Sequence, residues 1–168
     1  GPWLFMTSNH IYLNMSSKPL QDGNVKCIYA ETIKKNVTHR TLSHTVYVKL
    51  GDYGGWITMN ATYTPHFFYK KRVDMFTSVD SSGGVVTNYT FVFTFNACAV
   101  VRKSKGRPGE EPNVHHELWV NKYFFDTNST WCVMAFMKVQ NAAYKGEEGP
   151  ERYDINECNS RLGNRKTA

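Results

Sequence analysis

Three sets of residues in this chain have types and spacings that could do chemistry. Cys27, Cys98, Cys132 and Cys158 could be free thiols, a metal site or two disulfides. No Cys-x-x-Cys pair occurs among them, which argues against structural zinc. His115-His116-Glu117 has metal-ligating types, but adjacent residues on a strand point to opposite faces. At most one of the two histidines could therefore join a site there. No Ser/His/Asp spacing stands out, and cysteines held in disulfides cannot act as nucleophiles. The expectation is a protein that is not an enzyme, with no metal and no resident cofactor.

The third set is modification chemistry. Asn14-Met15-Ser16, Asn36-Val37-Thr38, Asn60-Ala61-Thr62, Asn88-Tyr89-Thr90 and Asn128-Ser129-Thr130 are N-glycosylation sequons. With 14 Asn and 25 Ser plus Thr in 168 residues, chance would give roughly two such triplets. The excess agrees with an even cysteine count, and both point to a secreted, oxidised, disulfide-bonded chain. Gly1-Pro2-Trp3 carries no signal peptide, so a mature form is expected, with Gly1-Pro2 as a cloning scar.

The elements that must position these residues read as strands. Asn88 to Phe95 alternates aromatic with small or polar residues, the period of a strand with one wet and one buried face. A glycan on Asn88 must point outward, which places Thr90, Val92 and Thr94 outside. Tyr89, Phe91, Phe93 and Phe95 are then expected inside. Asn60 gives the same argument for its own strand: Trp56, Thr58 and Thr62 out, Ile57, Met59, Ala61 and Tyr63 in. Other strand candidates are residues 10–13, 25–33, 45–50, 66–76 and 98–103, with a last one at 117–121. Pro65 is expected to end the strand before it, and nothing fixes the facing of 66–76.

About eight short strands separated by turn signals favour an antiparallel barrel or sandwich. After residues 127–130, which could cap a helix, Val133, Met134, Phe136 and Met137 suggest a short amphipathic helix. One domain spans 1–168, with strands over about 10–122, the helix over about 129–141, and a terminal segment 150–168 that holds Cys158.

The net charge is +6, but apart from Lys70-Lys71-Arg72 and the Arg102-to-Arg107 cluster the cations are spread along the chain. A solvated basic surface is expected rather than a nucleic-acid site. No apolar run approaches membrane-spanning length, so no membrane insertion is expected.

Cys98-Ala99-Val100-Val101, a Gly/Glu loop, Glu117-Leu118-Trp119-Val120, then Cys132 leading a helix and a late Cys158 together resemble the secreted salivary lipocalins of ticks. Ile11-Tyr12-Leu13, Ser16-Ser17-Lys18 and Asn24-Val25-Lys26-Cys27 resemble more particularly the japanin-like branch, known for altering dendritic-cell behaviour. The resemblance implies an all-β, eight-stranded antiparallel up-and-down lipocalin barrel with a helix packed outside and a ligand cavity within. It also implies the pairs Cys27–Cys158 and Cys98–Cys132, one of three connectivities open to four cysteines. Cys158 would then tie the terminal segment back. Trp119 is expected beside the Cys98–Cys132 bridge.

Such lipocalins hold biogenic amines, fatty acids and eicosanoids, or sterol. A buried amine needs carboxylates, and only Glu31, Asp74 and Glu117 fall within expected strands. A fatty acid or leukotriene needs a cation, for which Lys70, Lys71 or Arg72 could turn inward. The interior set Ile57, Met59, Tyr63, Tyr89, Phe91, Phe93 and Phe95 suits a sterol such as cholesterol best, although the same residues would also suit a filled core. The expected reading is a monomeric, secreted salivary protein that binds a small hydrophobic ligand and modulates the host immune response, with a host immune-cell surface protein as possible partner. The alternative is a scavenger of a host mediator: leukotriene, fatty acid, histamine or serotonin.

Overall fold

The computed structural model describes residues 1–20, 23–51, 55–70, 72–80, 84–127 and 129–159. Lys71, the Asn128 sequon position, parts of three expected turns and the tail after 159 lie outside the described residues. Eight main strands follow one another: β1 (His10–Ser16), β2 (Val25–Asn36), β3 (Thr41–Leu50), β4 (Gly55–Phe67), β5 (Val73–Val79), β6 (Val86–Thr94), β7 (Cys98–Gly106) and β8 (Asn113–Val120). Each pairs antiparallel with the next, and β1 pairs with both β2 and β8, which closes the sheet into a barrel. A short β9 (Glu151–Arg152) adds to the outer edge of β1.

The antiparallel order puts the ends of β1, β3, β5 and β7 and the starts of β2, β4, β6 and β8 at one end, the mouth. The opposite end carries the turns at 37–40, 68–72 and 95–97. It is closed by a helix that the sequence pattern did not announce, α1 (Pro2–Met6). Pro2, expected to be a cloning remnant, is buried in the first turn of α1, where a missing N–H costs nothing. Trp3, Phe5 and Met6 are buried among Ile11, Leu42, Tyr63, Phe76 and Val101 at the barrel floor. Burying each such side chain stabilises by about 1.5–3 kcal/mol.

Three boundaries differ from expectation for identifiable reasons. Pro65 does not end β4, which runs on to Phe67. The pairing of β4 with β3 stops at Tyr63–Leu42, so Pro65 sits where β3 no longer lies alongside. The expected strand at 66–76 is split: His66 and Phe67 finish β4, and β5 begins only at Val73. Between them, Lys70 takes a positive φ of 51°, which turns the chain back. The connection between the strands expected at 98–103 and 117–121 is shorter, because β7 continues to Gly106 and β8 starts at Asn113.

Outside the barrel, α2 (Lys122–Asp126) is capped by the Asn121 side chain, and α3 (Thr130–Ala143) lies over β7 and β8. Phe136 and Cys132 of α3 are fully buried against Met15, Val100, Leu118 and Val120. The disulfides join Cys27 to Cys158 and Cys98 to Cys132, with Cα separations of 5.5 and 6.2 Å. The first ties the terminal segment to β2; the second ties α3 to β7.

Candidate ligand cavity

The barrel encloses a cavity of about 850 Å3 that reaches from the α1 floor to the mouth. Its walls follow from strand periodicity. On β3, His44, Val46 and Val48 face in; on β4, Met59, Ala61 and Tyr63 do the same opposite them. Tyr89 and Phe91 of β6 and Val101 of β7 continue the apolar wall. Of the interior residues expected from sequence, Met59, Tyr63, Tyr89 and Phe91 line the cavity. Ile57 opposes Val48 nearer the mouth, is largely exposed, and lies outside the lining.

Phe93 and Phe95 correct the expectation. The pairing of β6 with β7 slips by one residue, since Phe91 opposes Val101 but Phe93 opposes Val100. This bulge reverses the facing beyond Phe91. Phe93 and Phe95 therefore pack under α3, with Phe95 edge-on to Trp131 at 4.2 Å.

The polar part of the cavity is built on β8. His115, Glu117 and Trp119 share its inner face at period two, and Lys103 joins them from β7. Glu117 is completely buried. One carboxylate oxygen accepts the Trp119 indole N–H at 3.0 Å; the other is 2.8 Å from His115 Nε2 and 3.8 Å from Lys103 Nζ. Burial pushes the Glu117 carboxyl up, but the Lys103 charge and the His115 and Trp119 contacts outweigh it and hold it at about 2. Glu117 is thus a carboxylate with its partners already supplied. Burial, then neighbouring groups including Glu117, raise Tyr63 and Tyr89 above the ordinary phenol range, so both stay neutral.

At the floor, the His44 ring stacks edge-on against Tyr63 at 4.9 Å. Its Nε2 donates to the Met6 carbonyl at 2.8 Å, which fixes the tautomer because a carbonyl only accepts. Burial lowers its pKa to about 4, with the Met6 bond pulling the other way. His44 is a neutral group inside an apolar floor.

The other charges singled out from sequence lie elsewhere. Glu31 belongs to the outer face, near His10 at 3.9 Å and Tyr47 Oη at 3.4 Å. Asp74, Lys70 and Arg72 do not line the cavity; Lys70 and Arg72 lie between β4 and β5 rather than in a strand. Trp119 lines the cavity instead of covering the disulfide, because it shares Glu117's face while Leu118 and Val120 point to α3. Lys103 and His44 carried no signal beyond strand alternation. Among the described residues, no group of three His, Cys, Asp or Glu could hold a metal ion.

Residues 3–160 match a family described as tick histamine binding protein. No curated protein matches the chain in sequence. Solved structures resemble it across most of its length. The siderocalin Ex-FABP, described as functioning through dual ligand specificities, aligns with a TM-score of 0.62 and 11% identity, covering 88% of this chain and 89% of that one. Lobster apocrustacyanin A1 aligns at 0.53 and 9%, over 88% and 76%. Japanin from Rhipicephalus appendiculatus, solved bound to cholesterol, aligns at 0.50 and 12%, over 89% and 95%. At these identities the likeness is one of fold, and japanin is a distant structural neighbour.

Proposed function

The chain belongs to the tick histamine-binding protein family, a family of non-enzymatic lipocalins, and from that premise we propose that its barrel carries a small neutral amphipathic lipid, with a sterol favoured. The observation that carries this reading is the state of Glu117. It is the carboxylate buried deepest in the barrel, and Lys103, His115 and Trp119 already surround it. A ligand cation would bring a second positive charge beside Lys103 for one carboxylate, and unpaired buried charge is costly. A hydroxyl asks only for one of the remaining lone pairs. Apolar walls in a volume of about 850 Å3 suit a rigid hydrocarbon, whose burial stabilises by about 25 cal/mol per Å2 before ordering costs. The cholesterol in the japanin structure accords with this choice.

The protein acts, in this reading, after secretion in saliva: the loaded lipocalin modulates the host immune response, with an immune-cell surface protein as its partner. A second reading is favoured by one observation, that the family description names histamine and that Glu117 places a carboxylate in the barrel. The ammonium of a host amine would then displace Lys103, and the protein would scavenge that mediator.

Native mass spectrometry with organic extraction, on protein secreted from animal cells, separates the two. A co-purifying neutral mass of sterol size, with saturable re-uptake of cholesterol and none of histamine, is expected. An empty barrel that takes up histamine or serotonin but no sterol would overturn the first reading. The immune role is checked by exposing dendritic cells to loaded and delipidated protein; unchanged maturation markers with both would reject it.

A further inference from the structure

Lys70 and Arg72, which the cavity does not use, mark one end of the barrel where charge and exposed aromatics coincide. Residues 33–41 and 64–74 form the ends of two neighbouring hairpins, β2–β3 and β4–β5. They hold six of the 20 Lys and Arg residues but only one of the 14 acidic ones, Asp74. Five of the chain's six net positive charges therefore sit in these two stretches.

The β4–β5 hairpin also projects. Its pairing with β3 ends at Tyr63, and its pairing with β6 ends at Met75–Thr90, yet β4 and β5 stay joined out to Phe67–Val73. The tip is fixed by two backbone bonds, Phe68 N–H to the Arg72 carbonyl at 2.8 Å and Arg72 N–H to the Tyr69 carbonyl at 3.1 Å. On it, Phe67, Phe68 and Tyr69 are 50%, 79% and 67% exposed. Ile33 and Val37 of the adjoining hairpin are exposed as well. None of these rings belongs to a core cluster, and Lys70 Nζ lies over the Tyr69 ring at 5.4 Å, so charge and aromatic surface adjoin on the tip.

We propose that this end of the barrel docks on the surface of an anionic phospholipid bilayer, with the 67–69 aromatics at headgroup depth and the cations over the anionic lipid. Aromatic side chains favour the membrane–water boundary, and basic residues beside them gain from the negative surface potential. A soluble polyanion would attract the same cations but leave Phe67 and Phe68 in water, so the exposed rings favour the bilayer. The contact proposed is a peripheral one; no helix among the described residues is long and apolar enough to cross a membrane. The mouth lies at the opposite end, so a docked molecule keeps its cavity open to solvent. The docking therefore stands independently of what the cavity holds.

Asn36 lies in the adjoining turn, where its Oδ1 accepts the His39 N–H at 3.0 Å, so the test uses the secreted protein with its own glycans. Co-sedimentation is measured with vesicles of phosphatidylcholine alone and of phosphatidylcholine with phosphatidylserine. Binding is expected only with phosphatidylserine, weakening as salt is raised. F68S/Y69S and K70E/R72E should each lower partition by about tenfold or more, with circular dichroism and ligand uptake unchanged. Equal binding to both vesicles, binding to neither, indifference to both double variants, or retention on heparin without vesicle binding would each overturn the proposal.

Discussion

The two sides of the β6–β8 sheet are built from different kinds of residue and do opposite things. Toward the barrel axis, His115, Glu117, Trp119, Lys103 and Tyr89 leave a wide space and arrange polar groups around it. Toward α3, Leu118, Val120, Val100 and Phe136 close up without a gap and are fully buried. The covered side derives its stability from packing, whereas the open side gives up packing and keeps its charges through mutual neutralisation. Stability and binding should therefore separate by side.

Four measurements would break or sharpen that contrast. Phe136→Ala on the covered side should cost about 3–5 kcal/mol in chemical denaturation, while ligand affinity under native conditions stays the same. An affinity change of similar size would mean that the two sides are coupled.

The open side should instead reveal itself through pH. His44 is held at about 4, below its ordinary 6.5, so the folded state favours the neutral ring. Its contribution is present above pH 6.5 and is lost as pH falls toward 4, amounting to roughly 3 kcal/mol. Glu117 is held at about 2 from an ordinary 4.5, so its contribution is present above 4.5 and disappears as pH falls toward 2. Its size is again roughly 3 kcal/mol. His44→Gln should flatten the upper window of a pH–stability curve and Glu117→Gln the lower; one variant flattening both would show that the floor and the β8 cluster are one unit.

Smaller effects come from within β6. Phe91→Ser should weaken ligand binding by about tenfold, and Phe93→Ser should leave binding within about twofold while costing stability on the helix side. The reverse pattern would place the bulge elsewhere. Smallest is Tyr144→Phe, which removes the 2.8 Å contact to His116 Nδ1 outside the barrel. About 1 kcal/mol of stability should go, with no change in binding.

The strand count and the presence of a helix after residue 129 were legible in alternation and turn residues, which left barrel or sandwich open; the closed barrel and the helix's place outside it came from family likeness. The facing of Met59, Tyr63, Tyr89 and Phe91 followed from sequons that must point outward. The disulfide pairs came from family likeness, since spacing alone leaves three connectivities open. Phe93 and Phe95 were misplaced because a one-residue bulge leaves the alternation of the bulged strand intact; only the partner strand shows the slip. Helix α1 was missed because five residues are too few to show a period. Glu117 could be named as a strand acid with His115 and Trp119 on its face, but Lys103 could not be placed beside it, because Lys103 meets it only through the register of β7 on β8. The cavity was thus half visible: its apolar wall from one strand at a time, its polar centre only from two strands together.

Strand β1 carries a consequence for how the molecule comes into being. Tyr12 pairs with Tyr29 on one side and with Val120 on the other, so the circle is completed by the first strand made and the last. Until β8 has left the ribosome the sheet has two open edges and an accessible inner surface. Closing it joins distant parts of the chain, a slow and entropically costly step. A small ligand present during biosynthesis meets an open half-pipe, whereas one met afterwards has only the mouth. What the closed barrel first holds therefore depends in part on which small molecules surround the chain before β8 pairs with β1.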